Sequence, residues 1–162
     1  MKILGIDPGT ATTGFGLIEQ RKEGLKALDF GCIKTPAKTP LAERLNQIHK
    51  DLKEIIQETK PDVLAVEELF FFKNVKTAIS VAQARGVVLQ TAKEAGLDIF
   101  EFTPLQVKQA VTGYGRADKQ QVQKMVQIIF GLSKLPRPDD AADALAVAFC
   151  CLGSIQKAPC TC

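Results

Sequence analysis

The sequence predicts an α/β domain built on a mixed five-stranded sheet, with an antiparallel start and helices on both faces. Three observations carry this. Ile3–Ile6 and Val63–Val66 are short apolar runs, the pattern of strands covered on both sides. Leu41, Leu45, Ile48, Leu52 and Ile55 recur at helical spacing and draw one apolar stripe. Strand-like and helical segments then alternate to the end of the chain, as packed layers of the two require.

The elements follow in order. After Ile3–Ile6, Pro8-Gly9-Thr10 turns the chain. Gly14–Glu19 and Leu28–Lys34 form the next two strands, with a hairpin turn at Lys22-Glu23-Gly24. Thr39 as N-cap and Pro40 as first helical residue open a helix that Lys60-Pro61-Asp62 closes. His49 lies beside its apolar stripe and reads as a surface residue. Val63–Val66 is the fourth strand. A helical pattern runs from Val75 to Ala95, with Gly96 just beyond its end. Asp98–Phe102 alternates as a fifth strand. Thr103-Pro104-Leu105-Gln106 has the form of a capping box, and Asp118 with Gln121 forms another that opens a helix running to about Phe130. Pro136 and Pro138 precede a final helix from Asp139 to Leu152. Residues 1–152 are thus expected to form one domain, and 153–162 a flexible tail.

A chain of 162 residues suits one such domain. With 46% hydrophobic and 24% charged residues it has an ordinary soluble composition. The uncharged stretch near the end, Ala144–Gln156, is 13 residues, short of the ~18 a membrane span needs. Asp7 interrupts the opening before any secretory signal could form. A cytoplasmic protein without membrane contact is expected. Five cysteines, two adjacent at Cys150-Cys151 and two at Cys160 and Cys162, make a poor disulfide framework, and no C-x-x-C pair suggests zinc.

Charge is unevenly placed. Residues 1–68 carry ten basic and eleven acidic side chains, 69–137 ten and four, and 138–162 one and three. A basic middle flanked by acids suits a polyanionic substrate and a metal-binding centre.

Two buried strands end in carboxylates, although an unpaired buried charge costs several kcal/mol. Asp7 follows Ile3–Ile6, and Glu67 follows Val63–Val66. As parallel neighbours these strands would bring both acids to the carboxyl edge of the sheet, where open α/β sheets bind ligands. Asp140 and Asp143, three apart, share one face of the last helix. Small neighbours such as Ala141, Ala144 and Ala148 let that helix lie close to the sheet. Four crowded carboxylates call for a hard divalent cation, Mg²⁺ or Mn²⁺. Two such ions about 3.5–4 Å apart would serve phosphodiester hydrolysis. Asp139 or Asp140 could instead cap the helix, and the G-x-D-x-G turn also occurs in actin-like ATPases, which need two such domains.

The stretches ILGIDPGTATTGFGLIE, LAVEELFFFKN, AISVAQARGVV, QVKQAVTGYGRADKQQVQKMV and DDAADALAVA together resemble RuvC-type Holliday junction resolvases over residues 2–152. The resemblance implies a ribonuclease H-like fold, a homodimer, Mg²⁺ dependence (two ions per site, Mn²⁺ substituting) and paired symmetric nicking of four-way DNA junctions in recombination and repair. It implies a branch-migration helicase complex as partner. It selects Asp7, Glu67, Asp140 and Asp143 as the catalytic, metal-binding acids, choosing Glu67 over Glu68 and Asp140 over Asp139. Asp139 stands as a second acid where other members have one. Phe70 matches an aromatic that stacks on unpaired bases, its alternative being core. Lys108 and Lys119 match basic positions beside the active site. Lys73, Lys76, Arg85 and Arg116, from the basic middle, are expected to contact DNA. A hybrid ribonuclease on the same fold and a non-catalytic junction-binding domain are the competing readings.

Overall fold

The computed structural model describes residues 1–68 and 75–157. The elements are β1 (Lys2–Asp7), β2 (Thr12–Arg21), β3 (Gly24–Lys34), α1 (Leu41–Thr59), β4 (Val63–Glu67), α2 (Val75–Glu94), β5 (Asp98–Phe102), α3 (Pro104–Thr112), α4 (Lys119–Ile129) and α5 (Asp139–Lys157). Their order and types are those the sequence predicts.

The five strands form one mixed sheet in the order β3-β2-β1-β4-β5. β1, β2 and β3 pair antiparallel, and Gly24 takes φ +128° as the hairpin turns into β3. β4 runs parallel to β1, with Ile3 opposite Val63 and Ile6 opposite Val66, and β5 runs parallel to β4. The side-chain period of two divides the core. Leu4, Ile6, Leu64 and Val66 face the layer of α1 and α2, where Ile48, Leu52, Ala84 and Val88 are buried against them. Ile3 and Ala65 face the other layer, with Val107 of α3, Val122 and Val126 of α4, and Leu145 and Ala148 of α5. Each fully buried Leu or Ile stabilises the fold by ~1.5–3 kcal/mol, so both layers are firmly held.

α5 lies directly on β1 and β2, and three glycines permit it. A Cβ on Gly5 would stand 2.1 Å from the carbonyl oxygen of Ala144, one on Gly16 2.7 Å from the nitrogen of Leu145, and one on Gly14 2.0 Å from the carbonyl oxygen of Asp140. Gly5 and Gly16 are register partners, and Gly14 pairs with Asp7. The strands thus offer a bare strip on which helix backbone rests.

Both capping boxes form. Thr103 and Asp118 each accept from the backbone N–H three residues on, while Gln106 and Gln121 reach back to the cap N–H. Two local expectations are corrected. Pro40, not Thr39, is the N-cap of α1 and supplies no side-chain bond, while the N–H of Thr39 donates to the Pro36 carbonyl at 3.2 Å. α5 continues through Gly153 to Lys157, because Cys150, Cys151 and Leu152 are buried and carry the helix past the expected end. Cys32, Cys150 and Cys151 form no disulfide among the described residues. His49 is half-buried and bridges α1 to α2 through Nδ1, 2.9 Å from the Thr91 hydroxyl. Among the described residues no helix is long and apolar enough to cross a membrane.

Candidate active site

Alternation along β1 and β4 sets the directions of the two strand-end acids. Asp7 shares the face of Ile3 and Gly5, and Glu67 that of Val63 and Ala65, so both address the layer that holds α5. Each lies one residue beyond the pairing of Ile6 with Val66, at the carboxyl edge of the sheet. The close seat of α5 on Gly14 brings its first turns to the same edge, with Asp140 and Asp143 half-buried there.

Electrostatics show how tightly the four acids are coupled. Burial pushes the Asp7 carboxyl well above the usual carboxylate range, and Glu67, Asp143 and Asp140 each push it further, against the opposing pull of Lys119. Burial, with help from Asp143, raises Glu67 to about 7, although Lys108 and Lys119 favour its charge. Asp143 is also raised by burial, while its contact with Lys119 works the other way. Lys119 Nζ is 3.2 Å from Asp143 Oδ2 and 3.7 Å from Asp139 Oδ2. Burial disfavours the Lys119 charge, but Asp143, Asp139 and Asp140 outweigh it and the net shift is upward. Cys32, on β3 opposite Gly14, is raised to about 11 by burial and by nearby Asp140.

Glu67, Lys108, Lys119 and Asp143 line a cleft of about 190 Å³ between β4, α3, α4 and α5. A larger hollow lined by Ile56, Pro61 and Leu97 opens at the opposite edge of the sheet, away from the acids. Size does not locate the chemistry here; the clustered charges do.

The structure therefore gathers Asp7, Glu67, Asp140, Asp143, Lys108 and Lys119. Arg116 is exposed on a separate groove with Tyr114 and Leu105. Arg85 is engaged inside the protein: Nε donates to the Glu67 carbonyl at 3.3 Å, and the guanidinium pairs with Glu101. That bond fixes the end of β4, a role that residue type alone did not reveal. Lys76 is the second residue of α2. Phe70 and Lys73 lie outside the described residues. Sequence reasoning also missed the glycine strip, although Gly14 and Gly16 at alternate positions of one strand were its signal.

Among the described residues no group of three His, Cys, Asp or Glu side chains stands close enough together to hold a metal ion. Lys119 holds one of the carboxylates, Asp143. The donor chemistry still fits a hard divalent cation: the acids of this edge offer carboxylate oxygens, and Asp7 carries a charge penalty from its neighbours that such a cation relieves.

The mixed sheet with helices on both faces is a ribonuclease H-like fold. A family profile described as "Crossover junction endodeoxyribonuclease RuvC" matches residues 3–151. The chain belongs to that family. A crossover junction endodeoxyribonuclease RuvC of Syntrophomonas wolfei is 60% identical over 156 residues, covering 96% of this chain and 91% of that protein. The structure of Thermus thermophilus RuvC superposes with a TM-score of 0.88 at 38% identity, covering 96% of both chains. A second structure of the Thermus protein, in complex with Holliday junction substrate, gives a TM-score of 0.88 at 34% identity over 98% of this chain and 97% of that one.

Proposed function

We propose that this chain resolves four-way DNA junctions by paired, symmetric, metal-dependent nicks, with Asp7, Glu67, Asp140 and Asp143 as its catalytic acids. The observation that carries the reading is the half-buried Asp7 carboxyl, whose charge Glu67, Asp143 and Asp140 all disfavour. Asp7, Glu67, Asp140 and Asp143 would hold two divalent cations, magnesium or manganese. When bound, the ions supply Lewis acidity to the attacking water and to the leaving oxygen. Lys108 and Lys119, on the wall opposite α5, would stabilise the negative charge that builds on the phosphoryl oxygens. The leaving oxygen is the 3′-oxygen, so the products are a 5′-phosphate and a 3′-hydroxyl.

Arg116, Lys73 and Lys76 would contact backbone phosphates of the junction arms, and Phe70 would stack on a base at the crossover. Arg85 supports the site by holding the Glu67 carbonyl. A homodimer would supply the second site that a two-fold junction requires. A branch-migration helicase would deliver the crossover, and the setting would be the cytoplasm.

The test is parallel incubation with Mg²⁺ of a four-way junction, a linear duplex and an RNA–DNA hybrid. Symmetric nicks in the junction alone are expected. Cleavage of the hybrid at a comparable rate replaces this reading with a hybrid ribonuclease, and junction binding without cutting in either metal replaces it with a non-catalytic domain. Phe70→Ala should slow cutting more than it weakens binding; a wild-type rate assigns the phenylalanine to the core.

A further inference from the structure

The carboxylates border a second opening, on the other flank of α5. Lys34, the last residue of β3, and Arg137, two residues before α5, line it together with Asp139 and Asp140. Both cations are exposed, and among the described residues neither makes an ion pair or a side-chain hydrogen bond. Asp139 faces the other way electrostatically, towards Lys119 at 3.7 Å, so the acid next to Arg137 is already partnered. Lys34 lies within electrostatic reach of Cys32, as do Asp140 and Asp7. The opening is broad and bordered by charged side chains, unlike the enclosed apolar pocket that a small molecule needs. Two unclaimed cations on an open floor beside a phosphodiester-cleaving centre suit a passing anionic backbone.

We propose that Lys34 and Arg137 form a phosphate-binding flank that holds the cleaved strand on the side of the carboxylates opposite Lys108 and Lys119. The inference rests on the nuclease reading above and adds two positioning residues to it. One strand crosses the acids, with a phosphate over Asp7 and Asp140, its neighbour on one side against Lys108 and Lys119, and its neighbour on the other against Lys34 and Arg137. Arg137 offers a planar fork for two phosphate oxygens and Lys34 a point charge. Neither touches the reacting atoms. Both set where along the strand the acids act.

The experiment compares the wild-type chain, the double variant Lys34→Ala/Arg137→Ala, and a control of equal charge loss on α1, Lys50→Ala/Lys53→Ala. Binding of a synthetic four-way junction is measured in EDTA across about 50–200 mM salt. Single-turnover nicking is measured in Mg²⁺ at saturating protein. The site variant should bind on the order of tenfold more weakly and lose about two from its salt slope, and its nicks at saturation should spread to neighbouring phosphates where wild type cuts at one position. The control pair should match wild type, and Lys34→Arg/Arg137→Lys should recover most of the affinity. If wild type binds with a steep salt slope and the site variant matches the control, the flank is overturned and the nuclease reading stands. If wild type shows no junction preference and a flat salt response, both fall together.

Discussion

Gly14 and Asp140 meet backbone to backbone: a Cβ on Gly14 would stand 2.0 Å from the Asp140 carbonyl oxygen. The acid-bearing helix reaches the sheet edge through this contact. Gly14→Ala would have to lift the start of α5 away from β2, since the obstacle is main chain and cannot rotate aside. Overpacking of this kind costs about 1–3 kcal/mol or more. Both a lower Tm and a nicking rate reduced by two orders of magnitude are expected, the second because a displacement near 1 Å at the acids is enough to cost that much. Thermal denaturation and a junction-nicking time course measure the two. A variant with wild-type values for both would show that α5 is not seated by this strip.

Asp7 stands at the convergence of burial and three other carboxylates, all of which disfavour its charge. Asp7→Asn keeps the shape and removes that penalty. In EDTA at pH 8 the variant should therefore unfold at a higher temperature than wild type. It should also fail to nick junctions in Mg²⁺ while binding them at least as well, since one negative charge facing the DNA is gone. Full cleavage by Asp7→Asn would remove the metal-site reading. A lower Tm in EDTA would mean that Asp7 is held by bonds that its charge strengthens.

Much of this arrangement was legible in the sequence because it follows from local rules. Asp7 and Glu67 each end an apolar run, and runs of that kind become central parallel strands whose carboxyl edges adjoin. The two capping boxes are written in four-residue signals and appear where those signals stand. What escaped was non-local. Gly5, Gly14 and Gly16 matter through what crosses them, and nothing near them in the chain names α5 as the partner. The bond from Arg85 to the Glu67 carbonyl joins residues 18 apart through a helix whose rotation periodicity alone leaves open. α5 outran its expected end because Cys150, Cys151 and Leu152 are buried by tertiary contact, which outweighs a glycine at position 153.

The upward shifts predict a definite pH dependence for the metal-free protein. Glu67 titrates near 7 in the fold against an ordinary value of 4.5, and Asp7 and Asp143 are shifted in the same direction. The folded state then binds more protons than the unfolded chain between those values. Stability from Glu67 is whole below pH 4.5, falls as pH rises, and is gone once Glu67 has ionised above about 7. For Glu67 alone the span is worth about 3 kcal/mol. In EDTA, Tm should fall from pH 5 to pH 8 more steeply for wild type than for Glu67→Gln. Mn²⁺ or Mg²⁺ should restore it at pH 8 and do little at pH 5. Parallel pH profiles for the two proteins would contradict the shift.

On the proposed metal site, Lys119 would compete for the place of a divalent cation. Its ammonium sits 3.2 Å from Asp143 Oδ2 and also draws on Asp139 and Asp140. The pair is half-open to solvent, so its own contribution to stability is only ~0.5–1 kcal/mol. Its larger effect is on occupancy. With Lys119→Ala, Asp143 loses its counter-charge, and metal binding to the DNA-free protein should tighten several-fold by calorimetric titration with Mn²⁺ at pH 8. Nicking of a junction at saturating Mg²⁺ should nevertheless slow by at least tenfold, because the same lysine faces the charge that develops on the phosphoryl group. The two readouts move in opposite directions only if Lys119 is both a competitor of the cation and a contact of the phosphate. Weaker Mn²⁺ binding in Lys119→Ala would instead make Lys119 the residue that orients Asp143 for the metal.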